Sequence, residues 1–264
     1  MTVPESHPRY LSLTTRDRLV DGWKEGLVVT QGLIAHGRGE AFDYLLGETT
    51  TVHADAAERA AAALLILADR PVISVNGNVG ALSSDDVRIL SDLLNCPVEV
   101  NIFHRTEDRV GRLADKLEEA GCRRVLGRDP DANIPGLDHA RALCEREGIF
   151  SSDVILVPLE DGDRCKALRG MGKTVITIDL NPLSRTSRTA NITIVDNIIR
   201  AIPVIIRYVR EYREGMKNGE LRREDLEAVS ASYDNEAGLR STLRDMVERY
   251  SAGEMASNGP LGEG

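Results

Sequence analysis

Residues 178–197 read IDLNPLSRTSRTANITIVDN, an apolar strand that empties into amides, hydroxyls and guanidiniums. Asn181, Ser184, Arg185, Thr186, Ser187 and Arg188 place directional donors and two delocalised positive charges within eight positions. Phosphate is recognised by such groups, because a guanidinium forks onto two oxygens while hydroxyls and amides serve the remaining lone pairs. A second unusual stretch, GLIAHGRGEAFDY at 32–44, sets Arg38 between Gly37 and Gly39. It is expected to form a loop whose backbone comes close to an anion, with Gly39 and Glu40 opening a helix whose dipole favours the same charge. The competing reading is a plain loop in which Arg38 pairs with Glu40 or Asp43. His36, titrating near neutrality when unperturbed, is a candidate base.

Further candidates follow from the rule that open α/β sheets bind ligands beyond the carboxyl ends of their strands. PVISV runs into Asn76-Gly77-Asn78, VEVNIF into His104-Arg105-Thr106, VILVPL into Glu160-Asp161-Gly162-Asp163, and TVITI into Asp179-Leu180-Asn181. Any one of these exits reads as a turn or a helix cap. All of them on one rim would make a pocket. The acidic exit suits a divalent cation or an ammonium group, or simply caps a helix. The turn at 76–80 either cradles an anion at a helix start or is an ordinary tight turn.

The elements that would position these residues are legible from residue 71 onward, where short β-branched runs alternate with amphipathic segments. That alternation predicts a doubly wound parallel sheet flanked by helices. Thr106 is expected to cap a helix carrying Val110, Leu113 and Leu117 and ending near Gly121. Residues 128–137, RDPDANIPGL, predict an exposed loop before a short helix. Residues 197–210 suit a largely buried helix that tolerates Pro203 in its first turns. Helical stretches at 12–24 and 55–68 precede the sheet, so residues 1–215 read as one domain. Residues 216–250 read as a helical appendage, a dimer arm or a solvated cap, and the glycine-rich 251–264 as a disordered tail.

Composition narrows the partners. With 264 residues and a formal charge of -9, the chain lacks the broad basic face that nucleic-acid binding needs, so any anion site must be local. No apolar run approaches the roughly 20 residues that span a bilayer, and the start lacks a signal-peptide core, which points to the cytosol. The four cysteines form no CxxC pair and the five histidines no paired-ligand spacing, so no structural metal is expected. Neither a GxxxxGK[ST] loop nor a GxGxxG turn is present.

SHPRY at 6–10, GLIAHGRGEAFDYLLGE from Gly32, ISVNGNV from Ile73, PLEDGDR from Pro158 and IDLNPLSRTSRTANITIVDNI from Ile178 together closely resemble the archaeal phosphopantothenate synthetase family, also called 4-phosphopantoate:beta-alanine ligase. The resemblance runs in order and spacing from about residue 3 to about residue 250. It implies a Rossmann-like fold, a homodimer, and an ATP-dependent ligase of coenzyme A biosynthesis that joins 4-phosphopantoate to beta-alanine and releases AMP and pyrophosphate, with Mg2+ accompanying the nucleotide. The ATP contacts it carries over are Arg16, Arg38, Asp179, Leu180, Asn181, Arg185, Thr186, Asn197 and Ile198. Within that frame Arg38 and Arg185 are expected at the phosphates and Asp179 and Asn181 at the nucleoside. Asn76, Asn78, His104, Arg105, Glu160, Asp161 and Asp163 are the candidates for the other two substrates. The residues taken without the resemblance leave two alternatives open: a nucleotide-dependent kinase or transferase, and a non-catalytic nucleotide- or coenzyme A-sensing module.

Overall fold

The computed structural model describes residues 3–7 and 9–251. The segment expected as a disordered tail lies outside them, apart from Ser251. The β-branched runs form the six-stranded parallel sheet in the order β3-β2-β1-β6-β7-β8. These strands are β1 (Pro71–Val75), β2 (Val98–Val100), β3 (Val125–Leu126), β6 (Val154–Pro158), β7 (Thr174–Ile178) and β8 (Ile192–Ile194). Alternate side chains supply both faces, as a pleated strand requires. Ile73, Val75, Leu156, Ile176 and Ile178 enter one core, while Val72, Ile155, Val157 and Val175 enter the other. Strand order reverses between β1 and β6, whose register sets Ile73 beside Leu156. At that switch point the connections leave in opposite directions and open a crevice.

Helices α4 (Gly77–Leu94), α5 (Glu107–Glu119), α6 (Gly162–Gly170), α7 (Arg185–Thr189) and α8 (Ile198–Asn218) each begin just past a strand exit. Their N-caps are Asn76, Thr106, Asp161, Ser184 and Asn197, and each side chain accepts a backbone N–H of the first turn. The polar exits are therefore helix caps and, as shown below, most of them also line the crevice. Pro203 sits within α8 near its start, and Gly121 ends the α5 turn with φ +96°.

Three helices precede the sheet: α1 (Tyr10–Lys24), α2 (Thr30–Leu46) and α3 (Val52–Leu67). The expected glycine loop at 32–44 is instead the body of α2, and Gly39 opens no helix. Gly32 and Gly39 serve close approach, not turning, while a Cβ at Gly37 would meet open space. A Cβ at Gly32 would overlap Asn78 Oδ1, and one at Gly39 would come within 3.4 Å of Leu180. Contact with α4 and the β7 exit thus outweighs the roughly 1 kcal/mol that glycine costs a helix.

The expected loop at 128–137 is also corrected. Ala132–Asn133 (β4) pairs antiparallel with Leu143–Cys144 (β5), and the expected short helix is a 3-10 turn at Ala140–Ala142. Ala132 and Ile134 are buried against Ile149 and Ile155. Glu99 of β2 fastens this insertion, its carboxylate accepting N–H groups from Glu145 at 2.9 Å and Ile149 at 2.6 Å.

At the C-terminal end, α9 (Arg223–Ala231) lies against α3, and α10 (Asn235–Ser251) against α2, α3 and β8. Leu239 and Met246 share a core cluster with Leu46, Leu180 and Val195. Asn235 donates to Ser187 O at 2.8 Å and accepts from Thr193 N at 2.7 Å. Glu58 of α3 is an exception to polar satisfaction. It is fully buried and neither carboxyl oxygen finds a hydrogen-bond partner among the described residues. Among the described residues no helix is long and apolar enough to cross a membrane.

Candidate active site

A cavity of about 660 Å³ lies over the carboxyl ends of the strands and is roofed by α2. Asn76, Asn78, His104, Glu160, Asp161, Asp179, Leu180, Asn181, Arg185, Thr186, Asn197 and Ile198 all line it, and α2 contributes His36 and Arg38. Three of the expected residues do not. Arg16 lies under α2, bound to Glu40 at 3.0 Å and to the Tyr44 hydroxyl at 2.7 Å. Arg105 donates to Gly127 O at 2.7 Å, and Asp163 pairs with Arg185 at the surface.

The β7 exit is more self-contained than its composition suggests. Asp179 accepts Asn181 N at 2.9 Å and the Ser184 hydroxyl at 2.5 Å. Ser187 donates to Asn181 O at 2.8 Å, and Thr186 reaches across to Glu160 O at 2.9 Å. These hydroxyls hold the loop together and are not spare donors. Burial raises the Asp179 carboxyl above its usual value, opposed by these hydrogen bonds and by the nearby positive charge of Arg38. Arg38 and Asp179 both line the cavity. Arg38 makes no ion pair or hydrogen bond among the described residues, because Glu40 is taken by Arg16 and Asp43 by Arg200. The plain pairing considered for it is thus absent, and an exposed guanidinium stands unpartnered at the rim.

Beside it, the β8 exit is tied to α2. Asn197 donates to Asp43 at 3.0 Å, and Arg200 bridges Asp43 and Asp196 at 2.5 Å each. Asp196 is buried, which raises its carboxyl above the usual value, and accepts the Thr50 hydroxyl at 2.6 Å. The first turn of α8 opens into the cavity at Asn197 and Ile198. Amide N–H groups and the positive end of a 21-residue helix favour an anion there.

His36 lines the same space. Burial holds its imidazole below the usual histidine value, although Glu40, 4.0 Å away, acts in the opposite sense. Its Nε2 is buried on the Glu40 side and has no hydrogen-bond partner among the described residues. A neutral ring with a free nitrogen can accept a proton.

The acidic exit after β6 does not fit a metal ion. Glu160 is completely enclosed and bound by Arg141 and Arg164, while its other oxygen accepts Asp161 N at 2.7 Å. Asp161 Oδ1 caps α6 and Asp163 faces Arg185. Among the described residues no group of three or more His, Cys, Asp or Glu side chains could hold a metal.

Sequence reasoning missed Arg141, Arg109, Phe103 and Asp196, all of which line the cavity. Asp196 was within reach, since it precedes the α8 cap at a strand exit. Arg141 had no such signal, because it sits on the insertion and reaches the site only when the β4–β5 hairpin folds back. Arg109 likewise arrives from the first turn of α5, where its guanidinium donates to Leu27 O at 3.1 and 2.9 Å.

A doubly wound parallel sheet with helix N-termini, free and buried arginines and a neutral histidine around its switch-point cavity defines an α/β protein equipped for anionic small molecules. Residues 53–249 match the family described as phosphopantothenate/pantothenate synthetase, and the chain belongs to that family. It is similar to the 4-phosphopantoate--beta-alanine ligase of Methanosarcina mazei, 50% identical over 93% of this chain and 94% of the relative. The ligase of the same name from Thermococcus kodakarensis is 48% identical over 95% of this chain and 94% of its own length. That of Methanospirillum hungatei is 54% identical over 79% of this chain and 85% of its own.

Proposed function

We propose that the chain is a carbon–nitrogen ligase of coenzyme A biosynthesis that condenses 4-phosphopantoate with beta-alanine at the expense of ATP. The observation that carries this reading is one continuous cavity, in a chain of this family, joining unpaired Arg38 and the α8 N-terminus at one end to Asn78 and His104 at the other. Such a space can bring two polyanions into one reaction.

A carboxylate is a poor acyl donor, so the first step is attack of a phosphopantoate carboxylate oxygen on the α-phosphorus of ATP, releasing pyrophosphate. The amine of beta-alanine then attacks the acyl carbon, the C–N bond forms, AMP leaves, and the proton lost by nitrogen passes to the imidazole of His36. Most of the catalytic work is positioning and charge neutralisation. Arg38, Arg185 and the first turn of α8 lie along the triphosphate. Asp179 and Asn181 read the nucleoside, and Leu180 supplies an apolar wall. Arg16 acts through Glu40, holding α2 in place. Mg2+ would enter on the nucleotide's own phosphates, since no cluster of three or more candidate ligands stands among the described residues. Four free, buried cysteines are consistent with a cytosolic setting. A homodimer is part of this reading, and Leu11, Trp23 and Ile34 on α1 and α2 are exposed apolar side chains it could cover.

The test is incubation with 4-phosphopantoate, beta-alanine and MgATP, followed by mass spectrometry. 4'-Phosphopantothenate, AMP and pyrophosphate are expected in equal amounts. ADP in place of AMP would replace the adenylate with an acyl phosphate, and binding without turnover would leave a sensing module.

A further inference from the structure

We propose that the half of the cavity over β1 and β2 is the subsite for the phosphate group of the acid substrate, with the Arg141 guanidinium as its buried charge. Arg141 is only 6% exposed yet lines the cavity. Its Nε donates to Asn101 Oδ1 at 3.2 Å and its Nη2 to Glu160 Oε2 at 3.0 Å. Its Nη1 makes no hydrogen bond among the described residues and meets only Asp161 Oδ2, at 3.5 Å. The guanidinium is thus locked on one edge and unsatisfied on the other, where a ligand oxygen would complete it.

The charge balance of this half points the same way. Arg141 and fully buried Arg164 are offset by Glu160 and Asp161. Arg109, half-buried and held by the carbonyls of Leu27 and His104, has no carboxylate partner among the described residues and leaves a positive surplus. The N-termini of α4 and α6 open toward the same space at Gly77 and Gly162.

Substrate chemistry fixes the orientation. Phosphopantoate carries its carboxylate and its phosphate at opposite ends of its carbon chain. If the carboxylate meets the nucleotide near Arg38 and α8, the phosphate lies toward Arg141. This assignment rests on the ligase reading above.

The experiment uses the full chain and the variants Arg141→Gln and Arg141→Lys. KM is measured for phosphopantoate, unphosphorylated pantoate, ATP and beta-alanine, and inorganic phosphate binding is followed by calorimetry. Arg141→Gln is expected to raise KM for phosphopantoate about 100-fold, as for loss of one member of a buried charge pair. It should leave KM for ATP and beta-alanine within about threefold, abolish the preference for phosphopantoate over pantoate, and weaken phosphate binding at least about tenfold. Arg141→Lys, which keeps a point charge without the fork, should fall between the two.

A folded Arg141→Gln protein with unchanged preference, or one whose defect is confined to beta-alanine, overturns the assignment. If Arg141→Gln does not fold, wild-type preference and wild-type phosphate affinity in Arg141→Lys overturn it equally. A wild-type chain that makes no phosphopantothenate would sink the ligase reading instead, and the phosphate titrations would still report on the anion subsite.

Discussion

Replacing Glu58 by glutamine tests the electrostatics behind the site. Burial, with Asp196 and Asp55 adding to it, pushes the Glu58 carboxyl from an ordinary 4.5 to about 9, although Arg207 and Arg200 oppose the shift. In the unfolded chain the group ionises above its ordinary value, whereas in the folded chain it keeps its proton up to about 9. Between those limits the folded state binds one more proton, so stability falls as pH rises. At roughly 1.4 kcal/mol per pH unit, the loss between about pH 5 and about pH 8 comes to about 4 kcal/mol from this one side chain. Glutamine keeps the shape without the ionisable proton. Urea unfolding of wild type and Glu58→Gln across that range should therefore give curves that diverge, the variant gaining about 4 kcal/mol relative to wild type toward alkaline pH. A pH-independent difference would refute the protonated, buried carboxyl, and a gain that shrinks toward alkaline pH would reverse its sign.

Other perturbations read the site directly. Arg38→Ala removes a guanidinium that has no partner among the described residues, so adenylate formation should drop about 100- to 1,000-fold with the melting temperature unchanged; unchanged turnover in a pyrophosphate-release assay would remove Arg38 from the phosphate site. His36 must be neutral to accept a proton and is held below the usual histidine value, so the acidic limb it imposes on kcat at saturating beta-alanine should lie below that of an ordinary histidine. His36→Asn should erase this acidic limb, and an unaltered pH profile would exclude the base. Gly32→Ala drives a methyl group into Asn78, and a loss of about 1–3 kcal/mol in denaturant titration is expected; wild-type stability would mean that α2 does not press on α4 there.

The sheet and its helices were legible because their causes are local. A β-branched run between turn formers becomes a strand wherever it lies, and Thr106, Asp161, Ser184 and Asn197 cap helices through bonds to residues two or three positions away. Collecting the polar residues after each strand therefore recovered most of the cavity wall. It failed at α2, where Gly32 and Gly39 answer to Asn78 and Leu180, residues remote in sequence, and at the insertion, where no local pattern marks Arg141.

Residue types at the strand exits, readable without coordinates, determined that an anion site should exist and roughly where. Which of those groups are free to act was decided only by tertiary structure. Asp179 absorbs the Ser184 hydroxyl, Arg164 and Arg141 consume Glu160, and Arg16 and Arg200 occupy the carboxylates that would otherwise have neutralised Arg38. The physical reason is that charge and hydrogen-bonding capacity are spent on whichever partner lies within about 3 Å, and for these groups that partner is chosen by packing between distant segments.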